Sequence, residues 1–170
     1  MGLSVRRLTG ADAVAYRALR LEALADTPVA FGESVEEAGG RPDADWRELL
    51  SGDRAFFGVF DGPDLLACAN FSPEPGEKAK HRGWLYGVYV SPRARGKGAS
   101  NLLIGAVLDH ARKEGAAQVH LGVWTENRPA LGLYERFGFS TYGTLPRALF
   151  VDGRFIDEHQ MVCFLDKENE

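Results

Sequence analysis

The stretch "WLYGVYVSPRARGKGASNLL", residues 84–103, divides into a strand, a glycine-bearing loop and a helix, and the rest of the chain arranges itself around that division. Trp84 to Val90 is aromatic and β-branched and stops at Ser91-Pro92, which marks a strand. Leu102, Leu103, Ala106, Val107 and His110 recur at helical spacing within Ala99 to Glu114. Arg112 and Lys113 occupy the last turn of that helix, and Gly115 supplies its stop. Between strand and helix stand Arg95, Gly96, Lys97 and Gly98. The first amides of a helix have no intrahelical acceptor and its dipole favours negative charge, so bare backbone here can close on a phosphate or pyrophosphate. Ser100 adds a hydroxyl donor at the helix start. A plain tight turn with a cap accounts for the same letters. Two nucleotide motifs fail on it: Lys97 lies between the glycines rather than after a Walker-type loop, and Asn101 stands where a dinucleotide fingerprint needs its third glycine.

Working outward, "AAQVHLGVW" (116–124) reads as the next strand, and strand–helix–strand demands a parallel pair. Upstream, "RAFFGVF" and "LLACANF" flank "DGPD"; downstream, "FSTYGTLPRALF" and "FIDEHQMVCFL" flank "VDGR". These are antiparallel hairpins. A further strand over 3–8 leads, through a cap at Thr9 or Asp12, into a helix over 11–25 whose stripe is Val14, Leu19, Leu21 and Leu24. Residues 29–46 read as a loop with short helical pieces, the second running over 43–50; a last helix starts near Asn127 and ends at Gly138. The polar, Pro-rich stretch 72–83 is expected to be mobile, and the tail 166–170 solvated. The predicted fold is α+β: a three-layer α/β/α domain over residues 1–170 with a central mixed, mostly antiparallel sheet.

Composition sets the limits of function. A chain of 170 residues, 45% hydrophobic and 26% charged, suits one domain with a substantial core. A net charge of -4 gives no basic footprint for nucleic acid. Cys68 and Cys163 match no zinc spacing and read as free core thiols of a reducing cytosol, and the four histidines do not pair as metal ligands, so no metal is expected. With no apolar signal region and no long apolar run, the chain is expected to be soluble and cytoplasmic and to bind no membrane.

At the glycine loop a family resemblance emerges. "YVSPRARGKGASNLL" resembles the cofactor loop of the GNAT superfamily of acyl-CoA-dependent N-acetyltransferases, [QR]xxGx[GA] after a strand ending in a V-x-P-like segment. The register puts Arg95 first, Gly98 fourth and Ser100 sixth, where the family usually carries Gly or Ala. A second register, Arg93, Gly96 and Gly98, fits the letters but misplaces the loop relative to Val90 and Pro92. About 30 residues on, "VWTENRPALGLYERFGF" resembles the family's other motif, through Asn127, Ala130, Leu133, Tyr134, Gly138 and Phe139. The resemblance covers roughly Trp84 to Leu165; the earlier "LRLEALADTPVAFGES" is similar to the N-terminal segment of many members.

The resemblance implies acetyl-CoA as co-substrate and a primary amine, on a small molecule or a protein, as acceptor. It places Val88, Tyr89, Val90, Arg95, Gly96, Lys97, Gly98, Ala99, Ser100 and Asn127 against coenzyme A, with backbone groups of Val88 and Val90 meeting the pantetheine amides. Tyr134 becomes the general acid for the departing thiolate. As plain structure, Tyr134 is a half-buried helix aromatic beside Leu133 and Phe137, and Asn127 an N-cap. An alkylamine with pKa about 10 is only about a thousandth deprotonated at neutral pH, a cost of about 4 kcal/mol, so a base is needed. Relatives that acetylate small amines carry a Glu where Leu85 stands here. Glu33, Glu36, Glu37, His81 and Tyr86 are the remaining candidates. Phe31, Trp46 and Trp84 either wall an acceptor pocket or pack in the core, with Phe31 and Glu33 as the candidate substrate contacts; Glu33, Glu36, Glu37, Asp43 and Asp45 either draw in a cationic amine or form a solvated face of an acidic protein. The missing strand carboxylate leaves a non-catalytic acyl-CoA sensor as the alternative. An edge strand in the C-terminal hairpin leaves room for a homodimer.

Overall fold

A computed structural model describes residues 2–166; the expected solvated tail lies, from residue 167 on, outside the described residues. The strands are β1 (Leu3–Arg7), β2 (Ala55–Asp61), β3 (Asp64–Pro73), β4 (Arg82–Val90), β5 (Gln118–Trp124), β6 (Ser140–Val151) and β7 (Arg154–Phe164). They form one sheet in the order β1-β2-β3-β4-β5-β7-β6. Only β4 and β5 pair in parallel, so the sheet is mixed and mostly antiparallel. Five α-helices complete it: α1 (Ala13–Asp26), α2 (Val35–Gly39), α3 (Asp43–Ser51), α4 (Ala99–Lys113) and α5 (Arg128–Arg136). The architecture is the expected three-layer α/β fold.

Two cores lie on opposite faces of the sheet. On one, Tyr16, Leu19 and Leu24 of α1 and Trp46 and Leu50 of α3 pack on Phe56, Cys68 and Tyr89. On the other, Leu103, Ile104, Val107 and Leu108 of α4 and Leu133 and Tyr134 of α5 pack on Val59, Phe71, Leu85 and Leu121. Side-chain alternation along the strands sends neighbouring residues to opposite layers. Two helix stripes turn by about one position from the sequence reading. Val14 is 81% exposed while Tyr16 and Ala23 are buried, and Leu102 is 39% exposed while Ile104 and Ala111 are buried. Helices rich in alanine and leucine offer two adjacent apolar faces, and packing on the sheet selects one.

Caps start the helices as their letters suggest. Thr9 and Asp12 form a reciprocal capping box at the short turn before α1, and Ser34 and Glu37 form one before α2. The 72–83 segment is shorter as a loop than expected. β3 runs on through Pro73 and β4 starts at Arg82, with the Glu74 amide donating to the Arg82 carbonyl at 3.0 Å. Cys68 and Cys163 are both free and buried. Burial pushes the Cys68 thiol up to about 12. No helix among the described residues is long and apolar enough to cross a membrane.

Candidate active site

The parallel pair that the glycine loop requires is very short. β4 and β5 pair only from Arg82↔Gln118 to Trp84↔His120, and beyond that they diverge. A bulge in β4 accompanies the divergence: Cys68 pairs Tyr89 and Asn70 pairs Tyr86, so Gly87 and Val88 together face Ala69. Gly87 adopts φ +62°, which a residue with a Cβ rarely does, and the Asn70 side chain donates to the Tyr86 carbonyl at 3.3 Å. The result is a wedge-shaped opening in the sheet whose facing backbone edges have no strand partner.

A cavity of about 660 Å³ occupies this opening. It touches Tyr16 and Phe31 of one core and Leu121 and Tyr134 of the other, so it passes from one face of the sheet to the other. Tyr134, placed by α5, is only 7% exposed. Burial pushes its phenol well above the usual tyrosine range, so it is protonated near neutrality. No hydrogen-bond partner for its hydroxyl occurs among the described residues. It is therefore an unpartnered hydroxyl at the cavity wall. Asn127 lines the same cavity and caps α5, accepting from the Ala130 amide at 3.3 Å.

The glycine loop follows β4, with Gly96 six residues beyond Val90, and its residues are not among those lining the cavity. Gly96 and Gly98 take φ +75° and +84°, and a Cβ built on either would meet nothing within 4 Å. The amides of Gly96, Gly98, Ala99, Ser100 and Asn101 have no acceptor among the described residues. Gly98 caps a fifteen-residue helix, α4, and Ala99, Ser100 and Asn101 are its first three residues, so unpaired donors and the positive helix end coincide. This is a cradle for an anion. Arg95 is engaged elsewhere: its Nη2 donates to Asp26 at 2.5 Å and its Nε to the Val90 carbonyl at 3.1 Å. The Arg95 contact holds the Asp26 carboxyl below the usual range. The Tyr89 side chain is buried toward α1, with its hydroxyl on Glu22 and Asp26, so only its backbone faces the wedge region. Lys97 is exposed and Val88 lines the cavity.

On the other face the expectations divide. Phe31 and Trp84 line the cavity, whereas Trp46 lies behind it, 1% exposed and edge-on to Tyr16. Trp84 stacks on Tyr86 at 5.7 Å, and its indole donates to Glu74 at 2.8 Å. Of the five acids expected to attract a cation, only Glu33 reaches the cavity, and it is already shared by two guanidiniums. Arg20 donates to its Oε2 at 3.0 and 3.2 Å, and Arg41 donates to its Oε1. Glu36 is exposed on α2, Glu37 caps that helix, and His81 is exposed in the loop before β4. None of these three lines the cavity.

The carboxylate that does is Glu158 on β7, which sequence reasoning passed over. β7 pairs with β5 so that Glu158 faces Trp124 and Gln160 faces Gly122. A Cβ on Gly122 would lie 2.8 Å from Glu158 Oε2 and 3.2 Å from Gln160 Nε2; the missing side chain is what lets both groups settle over β5. Burial raises the Glu158 carboxyl above the usual range, and a hydrogen bond from Gln160 partly offsets it. The signal in the sequence was "DEHQ", polar letters inside an otherwise apolar strand. Arg20, Arg41 and Arg54, all on the cavity wall, were missed as well.

Comparison with known proteins follows the same lines. The model of the Acetyltransferase (GNAT) family matches residues 17–139. A mycothiol acetyltransferase of Streptomyces scabiei is 31% identical over 144 residues, 84% of this chain and 44% of that protein. The chain thus spans less than half the length of that curated relative. Among solved structures, an acetyltransferase of the GNAT family from Streptococcus pneumoniae has TM-score 0.86 at 20% identity, covering 95% of this chain and 98% of that one. A protein of Salmonella typhimurium, described with its cofactor acetyl-CoA, has TM-score 0.81 at 21% identity, covering 100% and 98%. At these identities the likeness is one of fold. The family match runs from α1 across the split sheet to the end of α5, and with it this chain belongs to the Acetyltransferase (GNAT) family.

Proposed function

We propose that this chain transfers an acetyl group from acetyl-CoA to the primary amine of a small molecule. The observation that carries the reading is a cavity that crosses the sheet at the β4–β5 wedge, with a protonated phenol and a carboxylate on its walls, together with the unpaired amides of the loop that follows β4. The residues suit the co-substrate. Open backbone at Gly96 and Gly98 and the free amides of Ala99, Ser100 and Asn101 would take the pyrophosphate, and the edge of β4 at Val88 and Val90, which has no strand partner there and whose Val90 carbonyl already accepts from Arg95, would take the pantetheine amides. Acetyl-CoA supplies an activated acyl thioester. A cavity of this volume holds a small molecule, in keeping with the relative named for mycothiol.

The side chains divide the proton work. Glu158 accepts the first proton from the ammonium, leaving a lone pair free to form the C–N bond as the C–S bond breaks. Tyr134 gives its proton to the sulfur. The second amine proton, released once nitrogen is acylated, restores the phenol, and Glu158 returns its own to solvent. A carboxyl raised by burial is a stronger base than one in water, which fits the task. The sensor alternative rested on the lack of a carboxylate on β4; Glu158 on β7 removes that ground.

Isothermal titration with acetyl-CoA, followed by thiol release with an amine panel, tests the reading. Binding at pH 7.5, and turnover that Tyr134→Phe lowers about 10- to 100-fold without loss of binding, are expected. No binding of acetyl-CoA would sink it.

A further inference from the structure

The charged residues lining the cavity are three arginines and two glutamates, and they are not evenly spread. Arg20, Arg41 and Glu33 form one half-buried cluster, with side-chain exposures of 15%, 30% and 18%. One carboxylate answers two guanidiniums there. Aromatic rings fix both cations: Arg20 lies 4.8 Å above Phe31 and Arg41 4.5 Å above Trp46. Arg20 uses Nε and Nη2 on Glu33, and its remaining Nη1, which has no partner among the described residues, lies 3.7 Å from the Cβ position of Gly87 in β4. Arg54, exposed on the cavity wall just before β2, adds a third cation with no ion-pair partner among the described residues. Glu158 lies across the wedge, over Gly122 of β5.

We infer that the acceptor is an amino acid, a small molecule bearing a carboxylate as well as the amine, bound with its carboxylate toward Arg20 and Arg54 and its amine toward Glu158. The inference rests on the acetyltransferase reading above and deepens it. A half-buried surplus of positive charge is costly unless an anion answers it, and the guanidinium fork matches a planar carboxylate. A polycation would instead meet three arginines on the cavity wall. The β4 side of the wedge therefore orients one end of the acceptor, and the β5 side receives the end that reacts. This reverses the expectation that acidic residues draw in a cationic amine: of those acids only Glu33 is present, and it is spent on the arginines.

The test compares matched pairs, each amino acid against the amine it becomes on decarboxylation, together with spermidine and a phosphate-bearing amine. Thiol release from acetyl-CoA and the mass of the product are the readouts. Amino acids should exceed their matched amines by at least about 30-fold in kcat/KM, the value of one or two hydrogen bonds to a charged group. Arg54→Gln should narrow that gap to within about tenfold, mainly through a higher KM for the amino acid. Equal turnover of the matched amines, or preference for spermidine or the phosphate-bearing amine, overturns this inference and leaves acetyl transfer standing. Failure to bind acetyl-CoA overturns the acetyltransferase reading itself, and binding with no amine consumed overturns both.

Discussion

The two sides of the wedge use different chemistry. On the α4 side, the groups proposed to bind are backbone: unpaired amides, two glycines with positive φ and the free edge of a strand. On the α1 side they are side chains drawn from five places in the chain, Arg20, Glu33, Arg41, Arg54 and Glu158. A backbone cradle serves one constant ligand and tolerates almost any side chain that leaves it open. A side-chain wall can be altered one residue at a time, so it is where members that share a fold can differ in acceptor.

If that contrast holds, Glu158→Gln gives the largest effect. It removes the amine's proton acceptor, and kcat/KM should fall at least about 100-fold with acetyl-CoA affinity unchanged. In the parent, activity should rise with pH as Glu158 ionises, at a pH above that of an ordinary carboxyl, and the variant should lose that limb. Stability should move the other way. A carboxyl raised in the folded state stabilises fully only below its unfolded pKa and loses that contribution as pH rises through the folded one. The uncharged amide escapes this cost, so the variant should melt higher near neutrality; a lower Tm there would break the argument.

Tyr134→Phe should cost about 10- to 100-fold in kcat with little change in the affinity for acetyl-CoA, since only an unpartnered hydroxyl is removed. Equal loss of binding would mean that the phenol holds the ligand rather than protonating it. Smaller still is Gly98→Val. At φ +84° any Cβ is strained, by about 1–2 kcal/mol, yet it meets no atom of the protein. The fold should therefore survive, while the side chain fills the cradle and weakens acetyl-CoA about tenfold or more by titration calorimetry. Strain without loss of affinity would place the pyrophosphate elsewhere.

The smallest effect belongs to Arg95. Its contact keeps the Asp26 carboxyl low, so that pairing adds stability above the unfolded pKa of Asp26 and loses it as pH falls through the folded one. Arg95→Ala should flatten the acid limb of the Tm–pH curve slightly and leave acetyl-CoA affinity within about threefold, because an exposed ion pair contributes little. A large loss of affinity would show that Arg95 leaves Asp26 for the ligand.

The constant side of the wedge was legible in the sequence. Gly96, Gly98, Asn127 and Tyr134 sit at fixed distances along two short segments, because a turn, a cap and a helix face each constrain neighbouring residues. The acceptor side was not. Glu33 was singled out without the two arginines that bind it, and Trp46 was placed in the wall when it packs in the core behind. Glu158 was not legible because it lies on β7, more than 70 residues beyond Leu85, and only strand pairing brings it to the cavity.

By itself, then, the sequence determined the elements, their order, the parallel crossing at the glycine loop and the family. Periodicity, caps and turns are local physics, and a strand–helix–strand crossing admits one hand. Only the tertiary structure decided where β4 and β5 part, which face of each helix is buried, and which acid and which cations share the cavity. Those depend on register between strands far apart in the chain, and a shift of one residue would carry Glu158 to the other face of the sheet.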